Sequence, residues 1–207
     1  MTDDSIRPVA LAVAVADGRT LAGDLAAPPE PRAAAVVCHP HPAYGGDRHN
    51  PVVDALFGAL PAAGVAALRF DFGPAAAASG GDAAARGEAV AALDHLAAAM
   101  PGVPLWLAGY SFGADVCLAV DDPRAAGWVA VAPPLVFGGR PAPASGDPRP
   151  ALVLVPEHDQ YSSPDRAREA TAGWPEATVG VVPGADHFLA GAARRVAEAV
   201  AAWLADR

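Results

Sequence analysis

Lysine is missing from all 207 residues, and the fourteen basic side chains are all arginine. That absence excludes a phosphate-loop lysine, a Schiff-base lysine, a pyridoxal phosphate anchor and a Ser-Lys dyad. Side-chain amides are nearly as scarce, with Asn50 and Gln160 alone, and aromatics make up 6%. Two cysteines, Cys38 and Cys117, are too few for a disulfide framework, and both lie in apolar runs as buried small hydrophobes do. Basic charge is in deficit, leaving a net charge of −9. That balance argues against nucleic acid as a partner, because phosphate contacts need a basic patch, and against an anionic membrane surface. No run of about 18 apolar residues escapes Gly, Pro or charge, so no membrane span is expected. Met1-Thr2-Asp3-Asp4 has neither the basic start nor the apolar core of a signal peptide. A cytoplasmic setting is the expectation, and oligomeric state is not readable.

What is abundant is alanine, which dominates the 53% apolar fraction. The length fits a single domain over 1–207 with one sizeable core. Residues 8–27 read as two strands around the turn pair Asp17-Gly18. Beyond them, solid apolar runs at 33–38, 64–70, 104–108, 127–132, 151–155 and 178–182 read as buried strands. Helical stretches at 52–60, 86–100, 112–120, 164–172 and 190–205 alternate with them. Residues 71–84 and 133–150 read as loops. This pattern predicts an α/β fold: a mostly parallel sheet, an N-terminal antiparallel hairpin and helices on both faces. Ligands in such folds sit beyond the carboxyl ends of the strands.

Just past the strand at 104–108 lies Gly109-Tyr110-Ser111-Phe112-Gly113, a G-x-S-x-G pattern between a strand and a helix. A sharp strand-to-helix turn holds such a serine in a strained conformation, and the residues two positions away must be tiny. With six serines in the chain, the pattern arises by chance about 0.06 times per chain of this composition. A nucleophilic serine needs a base, and the base an orienting acid. Asp159 follows the strand at 151–155 and His187 follows the strand at 178–182, so Ser111, Asp159 and His187 can converge on one sheet edge. Asp186 also precedes His187, but adjacent residues rarely aim their side chains at each other, so Asp159 is preferred. Glu157 and His158 read as a solvated loop. His39, His41 and His49 with Asp47 form a rival zinc reading; the preferred reading has no metal and gives His39 a loop-holding role. No dinucleotide G-x-G-x-x-G follows the early strands, and no cofactor is implied.

These residues resemble the α/β-hydrolase superfamily, and within it the small, lidless serine hydrolases related to dienelactone hydrolases. The resemblance spans most of the chain. It is carried by Cys38-His39-Pro40-His41-Pro42, Gly45-Gly46, His49-Asn50, Arg69-Phe70-Asp71-Phe72, Leu107 to Ala114, and Ala185-Asp186-His187-Phe188. Two departures stand out: dienelactone hydrolases proper use a cysteine where this chain has Ser111, and Asp71 stands where the branch has Asn. The resemblance implies an α/β-hydrolase fold without a lid domain, with Ser111 as nucleophile, His187 as base and Asp159 as acid. This fold takes its second oxyanion donor from the loop after the third strand. Pro40 and Pro42 have no N–H, which leaves His41, with Ala43 next; His41 and Phe112 backbone N–H groups are the expected pair. Tyr44, Pro134, Leu135, Phe137, Tyr161 and Phe188 are candidate pocket residues. The expected substrate is a small-molecule carboxylic ester with a small or medium acyl group. The alternatives are an acyl thioester or a non-catalytic hydrolase-like binding protein.

Overall fold

A computed structural model describes residues 6–78, 82–136 and 142–207. Eight strands form one sheet: β1 (Val9–Ala14), β2 (Thr20–Ala26), β3 (Ala33–Cys38), β4 (Val65–Phe70), β5 (Leu105–Tyr110), β6 (Ala125–Val131), β7 (Ala151–His158) and β8 (Ala177–Asp186). Their spatial order is β1-β2-β4-β3-β5-β6-β7-β8. β1 runs antiparallel to β2, and β2 antiparallel to β4. From β4 onward every pairing is parallel, so the carboxyl ends of six strands share one edge.

Burial on both faces explains the solid apolar runs. β3, β4 and β5 are buried at all six of their residues. Successive side chains point to opposite faces. Ala35, Val37, Trp106 and Ala108 therefore meet Val53, Leu56, Val196 and Val200 of helices α1 (Pro51–Ala59) and α6 (Ala193–Ala205). Ala34, Val36 and Leu107 face the other way, onto Leu93, Leu96, Val116 and Leu118. Those belong to α3 (Asp82–Ala99) and α4 (Phe112–Leu118). The short helix α2 (Pro74–Ala77) precedes α3, and α5 (Pro164–Thr171) packs Ala167 into the same cluster as Val153. Local chemistry starts these helices. Asn50 accepts a hydrogen bond from Val52 N–H ahead of Pro51, and Ser163 accepts one from Arg166 N–H ahead of Pro164.

Three expectations need correction. Residues 71–84 are not all loop: α2 lies within them and α3 begins at Asp82. Pro74 presets the backbone for a first helical turn, and the alanines at 83–85 are strong helix formers. Strands β7 and β8 run past Pro156 and Pro183, where proline suggested an end. β8 is the sheet's edge strand, where a missing N–H costs no ladder bond. α6 starts three residues later than its apolar spacing predicts, because Leu189 and Gly191 adopt positive φ values of 55° and 72°. Residues 133–150 are loop where described, apart from a 3-10 turn at Pro143–Gly146.

Candidate active site

Ser111 sits between β5 and α4 with φ 53° and ψ −119°. This left-handed value is strained for a residue with a Cβ. Two glycines permit it. A Cβ at Gly109 would lie 2.2 Å from the Gly113 carbonyl oxygen, and one at Gly113 would lie 2.4 Å from that of Cys38. The second contact brings the start of α4 against the end of β3.

The three sequence candidates meet at this turn. Ser111 Oγ lies 2.9 Å from His187 Nε2, and His187 Nδ1 lies 2.8 Å from Asp159 Oδ2. With Nδ1–H donating to the carboxylate, Nε2 is left as an acceptor for the hydroxyl. The Asp159 side chain is fully buried and that of His187 nearly so. Asp159 Oδ1 accepts from the N–H groups of Tyr161 (2.7 Å) and Ser162 (3.1 Å). Burial pushes the Asp159 carboxyl up, but the hydrogen bonds from His187, Ser162 and Tyr161 outweigh it and hold the group below its ordinary value. Tyr110, the elbow's second residue, donates its hydroxyl to the His187 carbonyl at 2.9 Å, so the serine's neighbour also holds the histidine's backbone. Burial raises the Tyr110 phenol to about 12, so it stays a donor. Asp186 is turned back on its own loop, accepting from Phe188 N–H.

The loop after β3 forms the opposite wall. His39 is buried, with Nδ1 at 2.6 Å from the Pro40 carbonyl and Nε2 accepting from Phe72 N–H at 2.9 Å. Burial lowers its pKa, which keeps the ring neutral for that bridge. His41 Nδ1 accepts from Ala43 N–H at 3.1 Å, which engages the second-choice oxyanion donor. Among the described residues, neither His41 N–H nor Phe112 N–H has a protein acceptor. The rings of Tyr44, His41, Phe112, Phe72 and His39 follow one another at centroid separations of 4.6–5.6 Å. Further out, Arg48 N–H donates to Asp71 Oδ1 at 2.9 Å, and the Arg48 guanidinium pairs with both Asp24 and Asp71. Arg69 donates to the Arg48 carbonyl and pairs with Asp24 and Asp54. Asp71, the departure from the branch pattern, thus fastens this loop. Among the described residues no three His, Cys, Asp or Glu side chains gather as a metal site.

A pocket of about 660 Å³ opens over Ser111. Of the candidate wall residues, Tyr44, Pro134, Tyr161 and Phe188 line it, and the three aromatics are exposed at its mouth. The Tyr161 ring lies 4.4 Å from that of His187. Leu135 does not line the pocket. Its φ of 57° turns the side chain into the core, and Pro134 and Val136 form the wall. Phe137 lies outside the described residues. The sequence reading missed Asp115, Val116 and Ala119. Helical spacing held the signal: 111, 115 and 119 are one turn apart on the face that the elbow presents.

No protein-family model matches the chain, and none of the curated proteins matches it by sequence. Solved structures do. An α/β serine hydrolase homologue from Coxiella burnetii is 26% identical, with 99% of this chain and 98% of that chain covered at a TM-score of 0.83. A lidless α/β serine hydrolase from Xanthomonas campestris is also 26% identical, over 94% of this chain and 92% of that one, at 0.79. A dienelactone hydrolase from Anabaena variabilis shares the fold at a TM-score of 0.80, with 19% identity over 97% of both chains. Sheet order, elbow and neighbours together define an α/β-hydrolase. Its likeness to the two 26%-identical structures is to serine hydrolases, one of them a small enzyme without a lid, and the dienelactone hydrolase shares the fold. No helix among the described residues is long and apolar enough to cross a membrane.

Proposed function

We propose that the protein hydrolyses carboxylic esters of small or medium acyl groups through an acyl-enzyme on Ser111. Ser111 Oγ attacks the acyl carbonyl carbon while His187 Nε2 takes its proton. The carbonyl oxygen becomes an oxyanion and accepts hydrogen bonds from the His41 and Phe112 N–H groups. The intermediate collapses, the carbon–oxygen bond to the alcohol breaks, and His187 returns its proton to the leaving oxygen. Water then attacks the acyl-enzyme with His187 again as base, which releases the acid and restores Ser111. Asp159 fixes the imidazole tautomer and stabilises its cation throughout. The observation that carries this reading is the continuous Ser111–His187–Asp159 hydrogen-bonded chain at 2.9 and 2.8 Å. The name of the dienelactone hydrolase among the similar structures, which denotes a cyclic ester, supports an ester over an amide. A cytoplasmic setting belongs to the same proposal, since both thiols, Cys38 and Cys117, are buried and unpaired, as in a reducing compartment.

The experiment is fluorophosphonate labelling of the purified protein beside Ser111→Ala, read by intact mass and peptide mapping, with p-nitrophenyl ester and acyl-thioester panels. We expect one adduct, on Ser111, and a loss of roughly 10⁶ in ester turnover for the variant. Parent-like hydrolysis by Ser111→Ala would refute the mechanism. A stronger response to the thioesters would redirect the substrate class while leaving the nucleophile in place.

A further inference from the structure

Two groups of residues line the pocket, and each is taken as one arm of it. His187, Tyr161 and Phe188 border one, coming from the ends of β7 and β8. The other follows α4, where Asp115, Val116 and Ala119 line one side and Pro134, Val136, Ala142 and Pro143 line the other. His187 must reach the departing oxygen, so the alcohol belongs on its side and the acyl chain in the α4 arm. From residue 111 to residue 119 a helical rise spans about 12 Å, enough for an unbranched acyl chain of roughly eight carbons.

One wall of that arm hangs on a single side chain. The strap that leaves β6 carries two left-handed non-glycine residues, Ala132 (φ 47°) and Leu135 (φ 57°). Asp115 holds it: Oδ1 accepts from Leu135 N–H at 3.0 Å and Oδ2 from Val136 N–H at 2.9 Å. Among the described residues these two N–H groups have no other acceptor. The clamp sends Leu135 into the core and sets Pro134 and Val136 against the arm.

We propose that Asp115 is the positioning residue that fixes the acyl arm, so that its carboxylate determines the preference for medium-length over short acyl chains. The proposal deepens, and rests on, the ester-hydrolase reading. Burial raises the Asp115 carboxyl to about 6, against the two N–H bonds that lower it. Asp82 of α3 raises it further, and Arg166 of α5 lowers it. Among the described residues, Arg86 of α3, with His41, His187, Tyr44, Tyr110 and Tyr161 across the pocket, are the other titratable or charged groups lining the cavity. As pH falls through about 6 the carboxyl takes a proton, one oxygen becomes a donor, and the clamp loses an acceptor.

The test compares kcat/KM for p-nitrophenyl octanoate and p-nitrophenyl acetate in the parent and Asp115→Asn, from pH 5 to pH 8. Taking the ratio cancels the titration of His187, which both esters need. In the parent the octanoate-to-acetate ratio is expected to fall at least fivefold from pH 7.5 to pH 5. In Asp115→Asn the ratio is expected to stay flat and low, with octanoate losing at least tenfold more than acetate, mostly through KM. A ratio that ignores both pH in the parent and the substitution would overturn the proposal while the ester reading stands. If Asp115→Asn does not fold, the parent's own pH dependence still decides. A parent that cleaves neither ester and takes no fluorophosphonate on Ser111 would fail the ester reading itself, and this proposal with it.

Discussion

Two carboxylates, Asp115 in the pocket wall and Asp159 behind His187, are bonded alike, yet their charge runs opposite ways. Asp159, past the end of β7, accepts two backbone N–H groups from its own loop. Asp115, in the first turn of α4, accepts two from the strap after β6. Burial acts on both in the same direction. Asp159 nevertheless lies below its ordinary value, and Asp115 is raised to about 6. Heavier desolvation and the charge of Asp82 raise Asp115, whereas the His187 Nδ1–H at 2.8 Å lowers Asp159 and has no counterpart at Asp115. At Asp115 two neutral amide donors do not offset desolvation, whereas at Asp159 the amides together with the ionisable His187 do. One acid is thereby held charged through the working range, and the other is left free to respond to pH.

The comparison breaks most visibly at Asp159. Asp159→Asn keeps the size of the side chain but removes its charge and lets it stabilise the wrong imidazole tautomer; kcat on p-nitrophenyl esters is expected to fall about 10⁴-fold. A loss under tenfold would mean that the loop, rather than the charge, holds His187. A smaller effect separates the two acids by stability. Asp115, with its native value raised, contributes stability that is complete below the ordinary value of 3.8 and lost as pH rises through about 6. Asp159, with its value lowered, contributes stability present above 3.8 and lost as pH falls through the lowered value. Urea unfolding of the parent and Asp115→Asn should therefore diverge between pH 7 and pH 4, with the parent gaining about 2 kcal/mol on the variant. Parallel curves would show that burial does not shift Asp115. The smallest effect concerns Tyr110→Phe, which removes the hydroxyl from the His187 carbonyl. We expect about 1 kcal/mol of stability lost and a several-fold drop in kcat with KM unchanged. An unaffected kcat would assign the placement of His187 to Asp159 alone.

Much of this was legible in the sequence. Strands buried on both faces need no alternation, so β3 to β6 stood out as apolar runs, and only glycine fits at 109 and 113, so the elbow stood out too. Asp159 and His187 were found because each follows a strand, and parallel strands end together. The misses have separate causes. Proline inside β7 and β8 looked like a stop until the edge position of β8 made its missing N–H harmless. Val136 lines the pocket in place of Leu135 because a left-handed residue inverts the side a chain presents, and nothing in the local composition announces one. Helical spacing could have placed Asp115 in the wall, but its hold on the strap was invisible. Its partners are backbone groups twenty residues away, and backbone N–H groups look the same at every position.

The backbone at Ser111 has a further consequence. A left-handed serine costs the native state on the order of 1–3 kcal/mol, and Gly109 and Gly113 tolerate that conformation without relieving it. The residue proposed to do the chemistry is thus among those that contribute least to folding. A glycine at 111 would relax the turn and leave the sheet intact. Any selection that scores thermal robustness alone would drift toward that substitution and discard turnover as it improved the fold. Engineering this scaffold therefore calls for an activity screen from the first round, with stabilising changes confined to the helices and strands away from the elbow.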